Sequence, residues 1–441
     1  MQRGKKRLYQ LTPVMVLAGS FLLLIIVGTL VLKIPSSVEQ EITWVDALFT
    51  ATSATTVTGL SVFDPGSTLT TFGETVLMVL IQFGGIGLMT FAVGIFILLR
   101  RKVGLKNRLY LQESFGQSRT GGLVKLVKHI CLFVFTIEAL AVMILSLHWY
   151  PEYGARGIYY SVFHAISAFN NAGFALFPDN LMRFVGDPIV NLVLSGLLII
   201  GGLGFVVVME LIKKHRFSQW SLHTKLMVVG TITINIVATL VIFLLEYQNP
   251  GTLKDLTWSD KLWASYFQAV TPRTAGFNTI NTGAMEEPTL FFTMLLMFIG
   301  GGSASTASGI KLTTFIIVLV ATISFIRGIQ EPNLFGRRIK TAIIVRSLAI
   351  STVSLLLIFF FLFILTITEK APFLPLAFEV VSAFGTVGLS TGITAELTDA
   401  GKLILCVVMF LGRIGPLTLF YLLLKPKRET YLYPYEQVQT G

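Results

Sequence analysis

The sequence predicts an all-α integral membrane protein of four pseudo-symmetric helix–pore-loop–helix repeats, with eight transmembrane helices and four re-entrant pore helices around a central pore. Three observations predict this fold class: long apolar segments, a phrase that recurs four times, and loops that alternate between basic and acidic composition. Of the 441 residues, 54% are hydrophobic and 13% are charged. Since a soluble domain carries about a quarter charged residues, this composition predicts a chain embedded in lipid.

Each repeat is predicted to contain a long helix, a short helix, the recurring phrase and a second long helix. The long segments approach the ~20 residues that span hydrocarbon, whereas the short segments suit half-depth helices that return as a loop. The first long helices are expected near 11–33, 123–147, 222–246 and 343–368, the short helices near 44–56, 157–170, 259–271 and 373–384, and the second long helices near 73–100, 188–213, 289–326 and 401–425. The repeats are then 1–104, 105–218, 219–336 and 337–425, followed by a cytoplasmic tail at 426–441.

The recurring phrase contains a glycine in every copy. It reads TTVTGL around Gly59, NNAGF around Gly173, RTAGF around Gly276 and GTVGL around Gly388, at near-equal intervals along the chain. Small or hydroxyl residues stand six positions before three of these glycines, at Ser53, Ser167 and Ser382, with Val270 in the third copy. Four copies of one unit in one membrane chain predict a ring with a central hole, and conduction of a small solute is the leading hypothesis.

The chemistry of the phrase favours a monovalent cation. A dehydrated cation requires oxygen ligands, and backbone carbonyls supply them without a full charge. Glycine reaches backbone angles that let successive carbonyls face one axis, and the negative end of each short helix would favour a cation. The candidate filter residues are uncharged, which argues against a calcium filter: Val57, Thr58, Gly59, Asn171, Ala172, Gly173, Thr274, Ala275, Gly276, Thr386, Val387 and Gly388.

A glycine- and serine-rich segment interrupts the second long helix of the third repeat. Glycine and serine disfavour a helix interior, so residues 300–310 are predicted to form a loop at membrane depth that lines a cavity. The members of this segment are Gly300, Gly301, Gly302, Ser303, Ala304, Ser305, Thr306, Ala307, Ser308 and Gly309. The other glycine clusters of the second helices, near Gly84, Gly201 and Gly412, are explained by close helix packing.

Ionisable residues at membrane depth are functional candidates by default. Arg413, in LGRIGPL, is either such a functional residue or one half of a structural pair. Arg273 is expected to brace its loop, because its charge would repel a cation. Glu138 and Glu246 are interpreted as helix-packing or interface residues, and Lys311 as a structural residue or one that faces a cytoplasmic cavity.

The distribution of charge predicts the topology. The chain has 34 Lys and Arg against 23 Asp and Glu, a net charge of +11. Most of the basic residues lie in 1–7, 100–128, 213–225, 327–346 and 425–428, while the alternate loops are acidic. The positive-inside rule places the basic loops and both termini in the cytoplasm. These loops are read as topology signals and contacts to anionic membrane lipids, and also as a docking surface for a cytosolic partner, rather than as a nucleic-acid site.

Taken together, these motifs resemble the Trk/Ktr/HKT superfamily of potassium transporters, most closely the membrane subunits of bacterial Ktr systems, over essentially the whole chain. The resemblance implies potassium translocation through the four phrases, with K⁺ held by filter backbone carbonyls and Na⁺ as a candidate activator. It implies that residues 300–310 are a gating loop, with Arg413 below the filter as its partner. A glycine at position 59 implies preference for potassium, where a serine would imply sodium.

The resemblance also implies partners and a location. It implies a homodimer, each protomer with its own pore, docked on a cytosolic ring of RCK-type nucleotide-binding subunits of the Ktr A or Ktr C type. No dinucleotide-binding fingerprint follows a strand in this sequence, so no cofactor is expected in this chain and nucleotide is expected only on the regulatory partner. The expected location is the bacterial inner or plasma membrane.

Two other functions compete with a potassium pathway as explanations of this sequence. A secondary potassium symporter driven by Na⁺ or H⁺ belongs to the same class, and the sequence offers no clear coupling site for either ion. An intramembrane enzyme is not supported, because no G-x-S-x-G elbow or H-E-x-x-H pair lies in a span. An enzyme with a single active site also does not require four copies of one unit. The sequence therefore predicts that the chain is not an enzyme.

Overall fold

The computed structural model describes residues 13–98, 123–303, 305–329 and 331–415. These residues are mostly helical, and one short antiparallel hairpin, Asn333–Leu334 with Arg337–Arg338, is the only sheet among them. The basic segment at 100–122, Ala304 and the predicted tail at 426–441 lie outside the described residues.

The helices follow the predicted order of long, short and long. They are α1 Pro13–Leu32, α2 Trp44–Thr56, α3 Pro65–Thr68, α4 Thr71–Leu98, α5 Leu123–Tyr153, α6 Ala155–Phe169, α7 Pro188–Leu203, α8 Phe205–Lys213, α9 Leu222–Glu246, α10 Trp258–Val270, α11 Glu287–Phe298, α12 Leu312–Ile326, α13 Thr341–Thr368, α14 Phe373–Gly385 and α15 Asp399–Ile414. The four predicted short helices correspond to α2, α6, α10 and α14. Their positions, like those of the first long helices, are confirmed to within a few residues.

The second long helices differ from the prediction in two places. The segment predicted at 188–213 is not one straight helix, since α7 and α8 are bent by 99° at Gly204, whose φ is 95°. Of the segment predicted at 401–425, residues 401–415 are described, and within them α15 ends at Ile414, before Gly415 with a φ of 89°; residues 416–425 lie outside the described part. A glycine at positive φ ends a helix because other residues resist that conformation. The predicted break in the third segment is present, as residues 299–311 between α11 and α12.

Three of the described helices are long and apolar enough to cross a membrane: Lys128–Tyr153, Leu222–Glu246 and Thr341–Thr368. The bent pair of α7 and α8 would be a fourth. Shorter apolar stretches at Leu17–Leu32, Thr71–Ile86, Glu287–Phe298 and Leu312–Ile326 accompany them. Large apolar side chains point outward from these helices, such as Phe359 and Phe363 on α13, as expected of a surface that faces lipid.

The short helices form the interior of the molecule. Their aromatic residues Phe49, Phe163 and Phe378 are fully buried, and α2 packs against α1, α4 and α15. Side-chain caps fix where these helices begin. Thr43 and Asp46 form a reciprocal capping box at the start of α2, which satisfies backbone N–H groups that a helix start leaves free. The long helices thus surround four short helices, whose C-terminal ends lead into the recurring phrase.

Candidate functional site

The four glycines of the recurring phrase lie next to one another in a closed circle. A Cβ atom added to Gly59 would lie 3.1 Å from the Cα of Gly173, and one added to Gly173 would lie 2.8 Å from the Cα of Gly276. A Cβ on Gly276 would lie 3.2 Å from the Cα of Gly388, and a Cβ on Gly388 would lie 2.9 Å from the Cα of Gly59. Segments far apart in sequence therefore meet at one ring of backbone.

The four copies of the phrase share an unusual backbone conformation. Each ring glycine has a positive φ, between 71° and 93°. The residue two positions earlier in each copy also has a positive φ, between 48° and 68°: Val57, Asn171, Thr274 and Thr386. L-residues resist this left-handed region, so surrounding contacts must hold it in place. Because the strained conformation recurs at equivalent positions in four separate segments, all four copies of the phrase have the same backbone shape.

Backbone carbonyl oxygens crowd against this glycine ring. An added Cβ on Gly173 would lie 2.9 Å from the carbonyl oxygen of Ala275. A Cβ on any of the other three glycines would collide with the equivalent oxygen of the neighbouring copy: Ala172 for Gly59, Val387 for Gly276 and Thr58 for Gly388. Four carbonyl oxygens therefore lie at one level beside the ring, and a side chain there would displace them.

Hydroxyl groups at the ends of the short helices hold the phrase from behind. The amides of Gly59 and Gly388 donate to Ser53 Oγ and Ser382 Oγ, each at 3.1 Å. Ser167 Oγ donates to the carbonyl of Phe174 at 2.7 Å, and Thr271 Oγ1 donates to that of Phe277 at 2.5 Å. In the third copy the hydroxyl thus comes from Thr271, five positions before its glycine. Val270, six positions before Gly276, has no hydroxyl, and the residue that follows it supplies the group instead.

The glycine clusters of the second helices make room for the ends of the short helices. A Cβ on Gly84 would collide with the carbonyl of Thr55, one on Gly201 with that of Phe169, and one on Gly412 with that of Phe384. Each of these carbonyls is in the last turn of α2, α6 or α14. The clusters therefore serve close packing, as expected from the sequence.

The loop at 299–311 is closed at its neck. Ile299 and Ile310 form a parallel bridge, the amide of Gly300 donates to the carbonyl of Ile310 at 2.8 Å, and the amide of Leu312 donates to that of Gly301 at 3.0 Å. Apart from Ala304, its residues are described, and Ser305 to Ser308 are buried, each at most 4% exposed. Because these polar groups are buried, their partners decide where the loop can lie.

The tip of the loop is bound to the bent end of α7. The amide of Gly302 donates to the carbonyl of Gly202 at 2.7 Å, and the amide of Thr306 donates to that of Gly201 at 3.3 Å. In a straight helix these two carbonyls would accept from residues one turn later. The bend at Gly204 frees them, which explains why the helix bends beside the loop.

Arg413 joins the loop to α4. It is 5% exposed, and its Nη1 donates to the carbonyl of Thr306 and, at 2.9 Å, to Ser308 Oγ. Its Nη2 donates to the carbonyl of Gly84 at 2.7 Å. Thr306 Oγ1 in turn lies 3.3 Å from Asn171 Oδ1. The loop therefore contacts both this buried cation and one copy of the phrase.

Two further cations lie near this assembly. Lys311 is partly buried, and its Nζ donates to the carbonyl of Ala307 at 2.8 Å, within the loop. Arg273 is 7% exposed, and its Nη1 donates to Thr231 Oγ1 of α9 at 3.3 Å. Arg273 thus ties the third copy to α9 and does not contact the ring glycines through a hydrogen bond in the described structure.

Residues 3–429 match the protein family TrkH, described as cation transport protein. The chain is 56% identical over 431 residues to Ktr system potassium uptake protein B of Bacillus subtilis, covering 98% of this chain and 97% of the relative. It is 42% identical over 425 residues to the Vibrio alginolyticus protein of the same name, covering 96% and 93%. The fold resembles the crystal structure of the potassium transporter TrkH from Vibrio parahaemolyticus, with a TM-score of 0.76 at 20% identity, over 96% of this chain and 87% of that one.

Proposed function

The chain belongs to the TrkH family of cation transport proteins, and is therefore a multi-pass membrane transporter and not an enzyme. On that premise we propose that it is the potassium-translocating membrane subunit of a Ktr-type uptake system. The four repeats at 1–104, 105–218, 219–336 and 337–425 would surround a single pore, with eight spans and four re-entrant short helices.

The observation that carries this proposal is the closed ring of Gly59, Gly173, Gly276 and Gly388, with one carbonyl oxygen beside each member. Carbonyl oxygens at one level can replace the hydration shell of a monovalent cation. The C-terminal ends of four short helices lead into the phrase that contains these oxygens, and the partial negative charge of a helix C-terminus favours a cation. The filter residues in this proposal are the three-residue segments that end at each ring glycine.

Residues 300–310 are proposed as the gate, with Arg413 as its partner. The loop contacts Asn171 of one filter segment through Thr306, and its backbone is bound by Arg413 and by the bent end of α7. These hydrogen bonds hold one arrangement, and a second arrangement withdrawn from the pore would require them to break together. The buried charge of Arg413 would also oppose a cation close to the loop.

The proposed assembly with other subunits rests on membership of the same family. The B. subtilis relative is named as part of a Ktr system. For this chain we propose a homodimer in the bacterial plasma membrane, with both termini in the cytoplasm and a cytosolic RCK-type ring of the Ktr A or Ktr C type on its basic loops. Potassium is then the transported ion, and any nucleotide is bound by the ring.

Flux measurement in proteoliposomes tests the proposal directly. Purified protein in vesicles with an inward K⁺ gradient should take up Rb⁺ tracer faster than Na⁺ tracer. Tracer uptake that is equally slow with protein-containing and protein-free vesicles would contradict it. A channel-like pathway reverses at the K⁺ equilibrium potential with Na⁺ and pH equal on both sides. A reversal potential that shifts with a Na⁺ or proton gradient would favour the coupled symporter.

A further inference from the structure

Glu138 is a buried carboxyl in the middle of an apolar span. It lies on α5 and is 4% exposed. Gln82 Nε2 of α4 donates to both of its oxygens, at 3.2 Å and 3.1 Å, and Asn170 Nδ2 donates to Oε1 at 3.4 Å. Among the described residues, no Lys, Arg or His forms an ion pair with it. A carboxyl at this depth without a cation is costly, which argues for a role beyond the helix packing expected from the sequence.

The partner Asn170 stands directly before a filter segment. It is the fully buried C-cap of α6, and Asn171 follows it. Its Nδ2 donates to Gln82 Oε1 at 2.7 Å and to the carbonyl of Ile166 at 2.9 Å, in addition to Glu138. A Cβ on Gly85 would collide with the Asn170 side chain, so α4 carries a glycine where this amide sits. The three side chains of Glu138, Gln82 and Asn170 therefore form a closed polar triad.

The residue after the triad connects it to the rest of the site. Asn171 holds a φ of 60°, and its Nδ2 donates to Thr274 Oγ1 of the third filter segment at 3.4 Å. Its Oδ1 accepts from Thr306 of the loop. On α4, Gly84 follows Gln82 by two residues and binds Arg413. A displacement of the triad would thus move the second filter segment and the support of the gate.

We propose that Glu138 is a positioning residue for the second filter segment. Through Gln82 and Asn170 it fixes the Asn170–Asn171 peptide, and with it the carbonyl of Ala172 beside the ring. It does not touch the ion. Its role rests on the proposed function, and it assigns a purpose to the asparagine pair in NNAGF, the copy of the phrase least like the other three.

The test compares K⁺/Na⁺ flux ratios in proteoliposomes for Glu138→Ala, Glu138→Gln, Asn170→Ala and the Glu138→Ala/Asn170→Ala double variant. Glu138→Ala should lower the ratio about five- to tenfold, the scale of one lost hydrogen bond. Glu138→Gln keeps one acceptor oxygen and should recover part of the ratio. The double variant should have a ratio no lower than that of Asn170→Ala, because both substitutions break the same connection.

Glu246 provides a matched control. It is fully buried, but its oxygens accept from Asn249, Thr252 and the amide of Glu286 at the start of α11. Glu246→Ala should lower thermal stability in detergent while leaving the flux ratio unchanged.

Three outcomes would overturn the inference. In the first, Glu138→Ala lowers thermal stability but leaves the flux ratio unchanged, as the control does, and Glu138 is then structural. The isosteric Glu138→Gln replaces the alanine variant in this comparison if the alanine variant does not insert. The effects of Glu138→Ala and Asn170→Ala on the ratio could multiply, and Glu138 would then act independently of Asn170. An absence of K⁺-selective flux in the unsubstituted protein would instead contradict the proposed function itself, and the inference with it.

Discussion

Arg413 binds the carbonyl oxygen of Thr306 with the same guanidinium that binds the carbonyl of Gly84, so one buried side chain ties the loop to α4. Among the described residues, the other side-chain contacts of the loop with residues outside it are longer: Thr306 Oγ1 lies 3.3 Å from Asn171 Oδ1 and 3.4 Å from the carbonyl oxygen of Phe169. Arg413 is therefore the contact whose removal should change the loop most.

Arg413→Ala should raise cation flux and make it less dependent on the cytosolic regulator. Loss of the guanidinium leaves the carbonyls of Thr306 and Gly84 without that donor, and it removes a fixed charge that opposes cations. Deletion of residues 303–307 should act in the same direction. The measurement is tracer flux with and without the regulatory ring. Arg183→Ala, which removes a partly exposed pair with Asp179 and a contact with the Phe177 ring, is the control, because none of these residues contacts the described residues of the loop. Low, fully regulator-dependent flux in an inserted deletion variant would refute the gate.

Gly59→Ser should weaken the preference for K⁺ over Na⁺. A side chain at a φ of 93° costs on the order of 1–3 kcal/mol, and it would displace the carbonyl of Ala172. A tenfold change in ratio corresponds to about 1.4 kcal/mol, so the loss should be easily measured. Gly196→Ser is the control, because an added Cβ there has no atom within 4 Å. Unchanged selectivity in serine variants of all four ring glycines would show that the filter lies elsewhere.

Thr271→Val should reduce K⁺ preference and lower stability by about 1 kcal/mol, the usual contribution of one hydrogen bond. The valine keeps the shape but removes the donor that holds the carbonyl of Phe277. Thr279→Val is the same substitution at a buried hydroxyl with no hydrogen-bond partner. The measurements are the K⁺/Na⁺ flux ratio and the melting temperature of both variants. If both variants behave alike, Thr271 does not support the filter.

Gly204→Ala should raise flux in the absence of the regulator. Alanine resists a φ of 95°, so the substitution favours a straighter junction of α7 and α8. Straightening returns the carbonyls of Gly201 and Gly202 to the helix and withdraws them from the loop amides. Gly196→Ala, in the same helix and in open space, is the control. Equal flux in Gly204→Ala and Gly196→Ala would show that the bend at Gly204 does not control the gate.

Neutralising the basic residues of 100–128 should reduce co-purification with a regulatory ring while the protein still inserts. The physical reason is the loss of charge complementarity across a cytosolic contact. A variant with Arg337 and Arg338 of the described hairpin neutralised tests whether a second basic surface contributes to the same co-purification. If neutralising 100–128 does not reduce binding of the ring, these basic residues set the membrane topology and contact lipid but do not bind the ring.

The helices and the break in the third repeat could be predicted because their signals are local: apolar runs, capping residues and a dense run of glycine and serine. The meeting of the four phrases could be anticipated from their common register. The bend at Gly204 could not, since one glycine in an apolar helix looks like the packing glycines near Gly84. Glu138 contacts Gln82 and Asn170, which are distant from it in the sequence. Thr271 binds Phe277 across a loop whose conformation no local pattern predicts. Ion binding by the ring stays a prediction.

The glycine ring is drawn from one polypeptide, so its four corners are encoded at four separate codons. In a ring of identical subunits, one nucleotide change alters every corner at once. Here a mutation alters a single corner and leaves three intact, which gives selection intermediate forms to act on. The asparagine pair before Gly173 shows how far one corner has diverged from the others. The sequence of the ring in such a chain can therefore change one corner at a time, and descendants of one gene can differ in a single corner.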